Sequence, residues 1–307
     1  MERLRLGLIG WGTVGAALGE LVLAGPLPLT LETVAVRDAA RPRPRPLPDG
    51  ARIGTPDEAM EADIVVELAG GLDGPLGWAR RTLDRGRPYV TANKALLATH
   101  GAELARLAEE RSAALLGSAS VGGGTPMIET VDHLAATGQI ERIRGVVNAT
   151  TTFILSAMAA GGGYDDALLQ AQEAGYAEAD PSFDVDGRDA AQKLAILASV
   201  AWGRWRPEAD VETTGIVGVT VAPGQPVRLV AEATRDTMTV SPTALEGTDA
   251  LALASGVESV LEVTVRDAGT FRVSGPGAGG RVTAGAVYAD LARLAAGERP
   301  ILFGSRS

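Results

Sequence analysis

The amino-acid sequence predicts an α/β protein in which a doubly wound parallel sheet is joined to a second, α+β domain. Short apolar runs alternate with helical patterns from Arg3 to Leu116, as they do in parallel sheets. A glycine-rich turn, Gly10 to Gly15, directly follows the first apolar run. After Arg204 the pattern changes to the period-two alternation that is typical of antiparallel strands.

The composition narrows the classes of protein to consider. The 307 residues, 46% hydrophobic and 21% charged, suit one large or two modest globular domains. A net charge of -10 argues against nucleic acid as a partner, and the absence of cysteine excludes disulfides and thiolate metal sites. Charges at the start of the chain and the lack of a ~20-residue apolar run predict neither a signal peptide nor a membrane span. We therefore expect a cytoplasmic protein with a small-molecule substrate and no membrane partner.

The first strand is predicted from Arg3 to Gly10 and the first helix from Ala16 to Val22. The G-x-G-x-x-G turn between them is typical of a Rossmann-type dinucleotide-binding fold. Its glycines permit a tight turn, an approach of the backbone to the pyrophosphate, and close helix packing, and the phosphates lie at the helix N-terminus. The predicted cofactor contacts in this turn are Gly10, Gly12, Thr13, Val14 and Gly15.

The second strand is predicted to end at Arg37, where the adenosine ribose of a dinucleotide would lie. An arginine there pairs with a 2'-phosphate, whereas an acidic residue accepts hydrogen bonds from a free 2'-hydroxyl. Arg37 precedes Asp38, so we expect NADP(H) to be preferred over NAD(H). The proline-spaced Arg41, Arg43 and Arg45 that follow are also typical of a stiff, solvated loop.

The next two predicted strands end in groups that suit a cofactor site. Residues 62–68 lead to Ala69 and Gly70, and residues 87–92 lead to Asn93 and Lys94. Ligands bind beyond the carboxyl ends of parallel strands, so we expect Asn93 and Lys94 beside the nicotinamide, and Ala69 and Gly70 among the cofactor contacts. A helix over residues 99–111 and a strand over residues 113–116 complete the alternating order.

A glycine turn over residues 122–126 is interpreted as the hinge into the second domain. The period-two strands in that domain suit an open antiparallel sheet, which is a candidate homodimer face. The later glycine turn, residues 275–283, is expected to return the chain to the first domain, with Gly277 near the cofactor. The expected boundaries are residues 1–127 and 282–307 for the dinucleotide-binding domain, and residues 128–281 for the substrate-binding and dimerisation domain.

Residues 175–193 hold five carboxylates and one lysine ammonium in nineteen residues. Pro181 and Gly187 break the first part into a loop, and a helix is predicted from Arg188 to about Val200. Asp189 and Lys193 then lie at positions i and i+4 on one face of that helix.

Lysine is scarce in this chain. Of its 28 lysines and arginines only Lys94 and Lys193 are lysines, and its only asparagines are Asn93 and Asn148. A lysine is favoured over arginine where a compact ammonium with a movable pKa is needed, although codon bias also produces such a count. With no cysteine, and with His100 and His133 in helical contexts, the candidate proton donors are lysines and carboxylates.

The surplus carboxylates suit a cationic group on the substrate, such as an ammonium. The spacing of Asp184 and Asp186 also resembles part of a calcium loop, but the full pattern of that loop is missing. The acids in question are Glu178, Asp180, Asp184 and Asp186.

Together these motifs resemble homoserine dehydrogenase along nearly the whole chain. Residues 175–197 are highly specific to that family, whereas the glycine turn alone is not. The other matching segments are residues 10–15, 62–71, 90–98, 122–126 and 275–283. The resemblance implies interconversion of L-aspartate 4-semialdehyde and L-homoserine with NAD(P)(H), in the pathway to threonine and methionine.

The resemblance also implies roles for individual residues. Lys94 and Lys193 match the catalytic lysines, and Asp189 orients a lysine. The residues expected to bind substrate are Glu178, Asp184, Gly175 and Asn148.

The chain departs from the family pattern at several positions. Ser118 stands where many relatives have the glutamate of a monovalent cation site, so no metal is expected. Residues 148–152 lack a glycine and an amide of the usual pattern, residues 211–227 look shortened, and no regulatory domain is expected after Ser307. A reductase of another amino-acid aldehyde or imine and a non-catalytic NADP-binding protein remain the alternatives.

Overall fold

The computed structural model describes residues 3–38, 40, 43 and 45–304. These fall into two compact units, one formed by residues 1–124 and 279–307 and the other by residues 125–278. We call them the first and the second unit. Arg41, part of the arginine run noted above, lies outside the described residues.

The first unit contains a six-stranded sheet in the order β3-β2-β1-β4-β5-β6, in which every pair of neighbours is parallel. This is the strand order of a doubly wound dinucleotide-binding fold, so the predicted fold class is confirmed. The strands are β1 (Leu4–Ile9), β2 (Leu29–Ala35), β3 (Arg52–Gly54), β4 (Ile64–Glu67), β5 (Tyr89–Thr91) and β6 (Leu115–Leu116).

Helices cover both faces of this sheet, which explains why its strands are nearly continuous apolar runs. One apolar cluster joins Leu8 and Val66 of the sheet to α1 and α10, and a second joins Val65 and Tyr89 to α3 and α4. The helices are α1 (Thr13–Ala24), α2 (Pro56–Ala59), α3 (Asp73–Asp84), α4 (Lys94–Arg111) and α10 (Gly280–Ala295), with a 3-10 turn at Ser118–Ser120.

The second unit combines a mixed sheet, in the order β12-β11-β7-β9-β10-β8, with five helices among the described residues. Neighbouring strands in this sheet are antiparallel, except that β8 and β10 pair in parallel. Its strands are β7 (Ile140–Val146), β8 (Glu212–Thr213), β9 (Val227–Thr234), β10 (Met238–Ala244), β11 (Glu258–Val265) and β12 (Gly269–Pro276). Its helices are α5 (Met127–Thr137), α6 (Ala149–Ala159), α7 (Tyr164–Glu173), α8 (Ser182–Val185) and α9 (Arg188–Trp202), with 3-10 turns at Glu208–Asp210 and Ala250–Leu253.

The structure differs from the sequence predictions in five short elements and in the boundaries of several longer ones. The elements β3, α2, β8, α8 and β12 are not predicted, and Gly275 and Pro276 belong to β12 rather than to a turn. β12 is mostly exposed and lacks an apolar alternation, and it is held by pairing with β11 along its length. Helix α4 begins at Lys94 rather than Thr99, because the Asn93 side chain caps it by accepting a hydrogen bond from the Leu96 N–H.

In the part of the chain that the structure describes, no helix is long and apolar enough to cross a membrane.

Gly7 shows how closely the first unit is packed. It lies in β1, and a Cβ atom at this position would overlap the carbonyl oxygen of Ala59 at the end of α2. Only glycine therefore lets α2 lie directly against the central strand.

Gly7→Ala is expected to lower the free energy of unfolding by about 1–3 kcal/mol, because α2 must move away from β1. Urea unfolding followed by circular dichroism measures this change. Gly77→Ala is the matched control: a Cβ there meets no atom within 4 Å, and alanine favours the helical backbone of α3. Equal stability of the two variants would contradict the packing argument.

Candidate functional site

The glycine turn after β1 packs against the end of β4. Gly10 has φ +109, and a Cβ atom on it would lie 2.7 Å from the backbone of Leu68. A Cβ on Gly15 would overlap the carbonyl oxygen of Gly10. Both positions therefore require glycine, for the backbone conformation and for the approach of α1 to the turn.

Two helix N-termini meet at this turn. Gly12 is the N-cap of α1 and has no side chain that could cap it, so the N–H groups of the first turn are left for a ligand or water. Gly280, the first residue of α10, lies so close to Thr13 that a Cβ on it would overlap the threonine methyl group. Helix N-termini favour negative charge, so this pair suits the phosphates of a dinucleotide.

Trp11 connects the glycine turn to the loop that follows β2. The indole is 6% exposed, fits against Gly19 of α1, and donates a hydrogen bond of 3.0 Å to the carbonyl oxygen of Arg45. The Arg45 guanidinium pairs with Glu20 of α1. A cavity of about 190 Å³ lies beside these groups, lined by Thr13, Ala16, Ala17, Glu20, Arg45, Gly280 and Arg281.

Arg37 is exposed directly after β2, and the Arg43 side chain donates to the carbonyl oxygen of Asp38 at 3.0 Å. Arg43 therefore has a contact within the loop and Arg45 has one with α1, whereas the sequence favoured solvated charges at both positions. Trp11 is a residue that the sequence analysis missed, although its position between two glycines of the turn was a visible signal.

The ends of β4 and β5 are joined by Asn93. Its side-chain amide donates a hydrogen bond of 2.7 Å to the carbonyl oxygen of Gly71, while its Oδ1 atom caps α4. Lys94 is the first residue of α4 and is half-buried, and Ala69 and Gly70 are exposed at the end of β4. Asn93 and Lys94, predicted beside the nicotinamide, and the predicted cofactor contacts Ala69 and Gly70 thus follow the carboxyl ends of neighbouring parallel strands.

In the second unit, Lys193 and Asp189 form a largely buried ion pair on α9. The Lys193 Nζ atom lies 2.7 Å from Asp189 Oδ2 and 2.6 Å from the carbonyl oxygen of Val147. The two side chains are 14% and 7% exposed. Removing one partner of a buried ion pair typically lowers the free energy of unfolding by about 3–5 kcal/mol, so both side chains are needed for stability.

Asn148 holds two carboxylates together. Its amide nitrogen donates to Asp184 at 2.7 Å and to Asp189 at 2.8 Å, and its Oδ1 atom accepts from the Thr151 N–H at the start of α6. Thr150, which the sequence analysis did not single out, lies 2.9 Å from the other oxygen of Asp184. The two carboxylates, Asp184 and Asp189, and the Lys193 ammonium together carry a formal charge of one negative unit, which suits a cationic group on a ligand.

The remaining acids of residues 175–193 lie outside this cluster. Glu178 is exposed, and its backbone carbonyl accepts a hydrogen bond from Gln172. Gly175 is an exposed left-handed residue with φ +76. Hydrogen bonds from Ser182 lower the pKa of Asp180, whose carboxylate accepts from the Ser182 N–H at 3.1 Å. The structure thus brings together Asn148, Asp184, Asp189 and Lys193, and it leaves Glu178 and Gly175 on an exposed loop.

Ser118 lies in the first unit and is buried against Asp290 of α10. Its hydroxyl donates to one carboxylate oxygen of Asp290 at 2.5 Å, and its N–H donates to the other at 3.1 Å. Within residues 3–38, 40, 43 and 45–304, no group of three or more histidines and carboxylates is arranged to hold a metal ion.

Comparison with known proteins identifies the family of both units. Residues 10–116 match the family model of the homoserine dehydrogenase NAD-binding domain, and residues 126–292 match that of homoserine dehydrogenase. The homoserine dehydrogenase of Corynebacterium glutamicum is 37% identical, over 93% of this chain and 70% of its own length. That of Synechocystis is 36% identical, over 94% of this chain and 73% of its own length.

Solved structures agree with these matches. A hyperthermophilic archaeal homoserine dehydrogenase in complex with NADPH has a TM-score of 0.86 at 29% identity, covering 97% of this chain and 99% of its own. The enzyme from Thiobacillus denitrificans has a TM-score of 0.87 at 31% identity, covering 96% of this chain and 74% of its own. The chain therefore belongs to the homoserine dehydrogenase family, the NAD(P)-dependent oxidoreductases that interconvert L-aspartate 4-semialdehyde and L-homoserine.

Proposed function

We propose that the cluster of Asn148, Asp184, Asp189 and Lys193 is where this enzyme binds L-aspartate 4-semialdehyde for reduction. The observation that carries the proposal is the Lys193 ammonium, held at 2.6 and 2.7 Å by two acceptors in a largely buried site. A buried, oriented ammonium is the kind of group that protonates a carbonyl oxygen as it becomes an alkoxide.

The Lys193 ammonium donates two hydrogen bonds to protein atoms, and these determine the role proposed for its third N–H group. An ammonium has three N–H groups, and Asp189 and the Val147 carbonyl accept two of them. The third is proposed to donate to the substrate carbonyl oxygen and then to transfer its proton. Asp189 would keep the lysine in this orientation and stabilise its charge before the transfer.

The amino group of the substrate is assigned to the acidic side of the cluster. Asp184 supplies a carboxylate without a cation of its own among the contacts described, and Asn148 fixes its position. Glu178 and Gly175, on the exposed loop before α8, are proposed to complete this part of the site when substrate binds.

The residues of the first unit fit a dinucleotide, since two uncapped helix N-termini meet at the glycine turn. When bound, the nicotinamide coenzyme supplies the hydride that reduces the aldehyde carbon. We propose Lys94 as the second catalytic lysine, by its match to the family pattern. The proposed cofactor contacts are Gly10, Gly12, Thr13, Val14, Gly15, Arg37, Ala69, Gly70, Asn93, Lys94 and Gly277.

Lys193→Arg keeps a cation beside Asp189 but replaces a titratable ammonium with a guanidinium that does not release its proton. We expect kcat for aspartate semialdehyde to fall by about 10²-fold or more. Oxidation of NADPH and NADH, followed by absorbance in the presence of the semialdehyde, gives the rate.

Arg204→Lys, at an exposed position just after α9, is the control and should retain the wild-type rate. Near-normal turnover by the Lys193→Arg variant would refute the role of Lys193. Failure of the wild-type enzyme to turn over the semialdehyde with either coenzyme would refute the proposed reaction.

Arg37 supports a preference for NADP(H), because it is exposed at the end of β2 where a ribose phosphate would lie. We expect Arg37→Ala to weaken NADPH binding by about 10-fold or more, the effect of losing one charge-assisted hydrogen bond. NADH binding should change little. Titration of each coenzyme, followed by its fluorescence, measures both dissociation constants.

Arg52→Ala is the control, since Arg52 is an exposed arginine of the neighbouring strand β3 and pairs with Glu58. Equal loss of affinity for NADPH and NADH in the Arg37→Ala variant would contradict a contact with the 2'-phosphate.

We propose that the enzyme forms a homodimer through the second unit. Strand β12 is an edge strand, exposed over most of its eight residues, and its Phe271 ring is 42% exposed. Edge strands offer backbone groups with which a second chain can pair.

Phe271→Lys is expected to shift the enzyme from dimer toward monomer, because a charge replaces an apolar group at the proposed contact. Light scattering coupled to size-exclusion chromatography measures the mass. Leu23→Lys, at a 69% exposed position on α1, should leave the mass unchanged. A monomeric wild-type enzyme would rule out the proposal.

A further inference from the structure

Glu67 is a fully buried carboxylate at the end of β4. It is 0% exposed, and each of its oxygens is used. Oε1 accepts hydrogen bonds from the N–H groups of Ala69 and Gly70, at 2.7 and 2.8 Å, and Oε2 accepts from the Thr91 hydroxyl at 2.7 Å. Carboxylates are seldom buried to this extent without a specific set of partners, so the three donors account for its position.

Thr91 links Glu67 by hydrogen bonds to the end of the neighbouring strand β5. It is the last residue of β5 and is also 0% exposed. While its hydroxyl donates to Glu67, the same oxygen accepts a hydrogen bond of 3.0 Å from the Asn93 N–H. The backbone just before Lys94 is therefore tied to the Glu67 carboxylate through one threonine.

The hydrogen bonds form a closed ring. The side chain of Asn93 returns to the first loop by donating to the Gly71 carbonyl at 2.7 Å. Gly70 and Gly71, with φ +70 and +82, adopt the left-handed conformation that turns the loop onto Glu67. These hydrogen bonds thus fix the loop after β4 relative to the first turn of α4.

The charge on Glu67 matters as well as its shape. Each partner is a donor, so an acceptor-only carboxylate satisfies all three. Burial, together with the nearby Glu67 charge, raises the pKa of the Tyr89 hydroxyl well above its usual value and keeps it a donor to the Pro75 carbonyl. An amide in place of the carboxylate has only one oxygen, and its NH₂ group cannot accept from Thr91.

We propose that Glu67 is a positioning residue for the hydride-transfer reaction, which fixes the Ala69–Gly71 loop and the N-terminus of α4 relative to each other. It touches neither substrate nor coenzyme and acts through Thr91 and the backbone of Ala69 and Gly70. The proposal rests on the cofactor contacts assigned above to Ala69, Gly70, Asn93 and Lys94. A displacement of about 1 Å in such groups costs roughly 10²-fold in rate.

Glu67→Gln tests the proposal with a side chain of the same size. We expect the variant to fold, to bind NADPH more weakly, and to lose about 10²-fold in kcat, because the loop and Lys94 shift. The KM for the semialdehyde should change much less than kcat, since Glu67 has no part in the substrate cluster of the second unit. Steady-state kinetics, NADPH titration and thermal unfolding give these values.

Glu58→Gln is the control in the same unit, at an exposed glutamate that pairs with Arg52. Glu58 also accepts from a backbone N–H and a threonine hydroxyl, those of Thr55, at 2.7 and 3.0 Å. It is the third residue of α2, completes the capping box with the N-cap Thr55, and is remote in the strand order from β4 and β5. This variant should lose some thermal stability and keep both kcat and the NADPH dissociation constant.

The pair Thr91→Val and Thr91→Ser keeps the proposal testable if Glu67→Gln does not fold. Valine removes the hydroxyl that links Glu67 to Asn93, whereas serine retains it, so kcat should fall with valine and largely recover with serine. Equal activities of the two would overturn the relay through Thr91. Wild-type values of kcat and NADPH affinity in Glu67→Gln would overturn the role of Glu67.

These outcomes are separable from failure of the proposed reaction. If the wild-type enzyme binds NADPH but does not turn over the semialdehyde, the reaction assignment fails. The NADPH dissociation constants of the Glu67, Glu58 and Thr91 variants then still decide the role of Glu67. Unchanged constants in both the Glu67→Gln and Thr91→Val variants would overturn it.

Discussion

A carboxylate taken out of water must find its donors inside the protein, and this requirement shapes the chemistry-bearing part of each unit. In the second unit Asp189 is satisfied by Lys193 and Asn148, which brings α9 and the start of α6 together. Because the ion pair is largely buried, Asp189 holds the Lys193 ammonium in place. The position of the proposed proton donor, Lys193, thus follows from the need of the buried Asp189 carboxylate for hydrogen-bond donors.

The first unit meets the same requirement with neutral donors. Glu67 collects two backbone N–H groups and one hydroxyl, so the loop after β4 cannot move independently of the end of β5. The glycine turn after β1 follows a different constraint, that of space, because Gly10 and Gly15 allow backbone to approach backbone. Hydrogen bonds fix the strand ends proposed for the nicotinamide region, while the absence of side chains shapes the turn proposed for the phosphates.

Local sequence signals were sufficient for most of the architecture. Apolar runs, glycine turns and helical periodicity predicted the parallel sheet, and family comparison confirmed both the fold class and the enzyme family. The missed elements have little sequence signal of their own. Strand β12 is exposed and is held by its partner β11, and α8 is a single turn within an acidic loop. Both depend on tertiary contacts that intrinsic propensity does not encode.

The sequence by itself determined the i, i+4 spacing of Asp189 and Lys193, the glycine turn and the scarcity of lysine, because each is a matter of local order or composition. Only the tertiary structure decided that Asn148 bridges Asp184 and Asp189, residues 36 and 41 positions away. It also decided that Thr91 joins Asn93 to Glu67, which lies 24 positions before Thr91 in the chain. Such partners are chosen by how strands and helices pack, and burial then makes the hydrogen bonds obligatory.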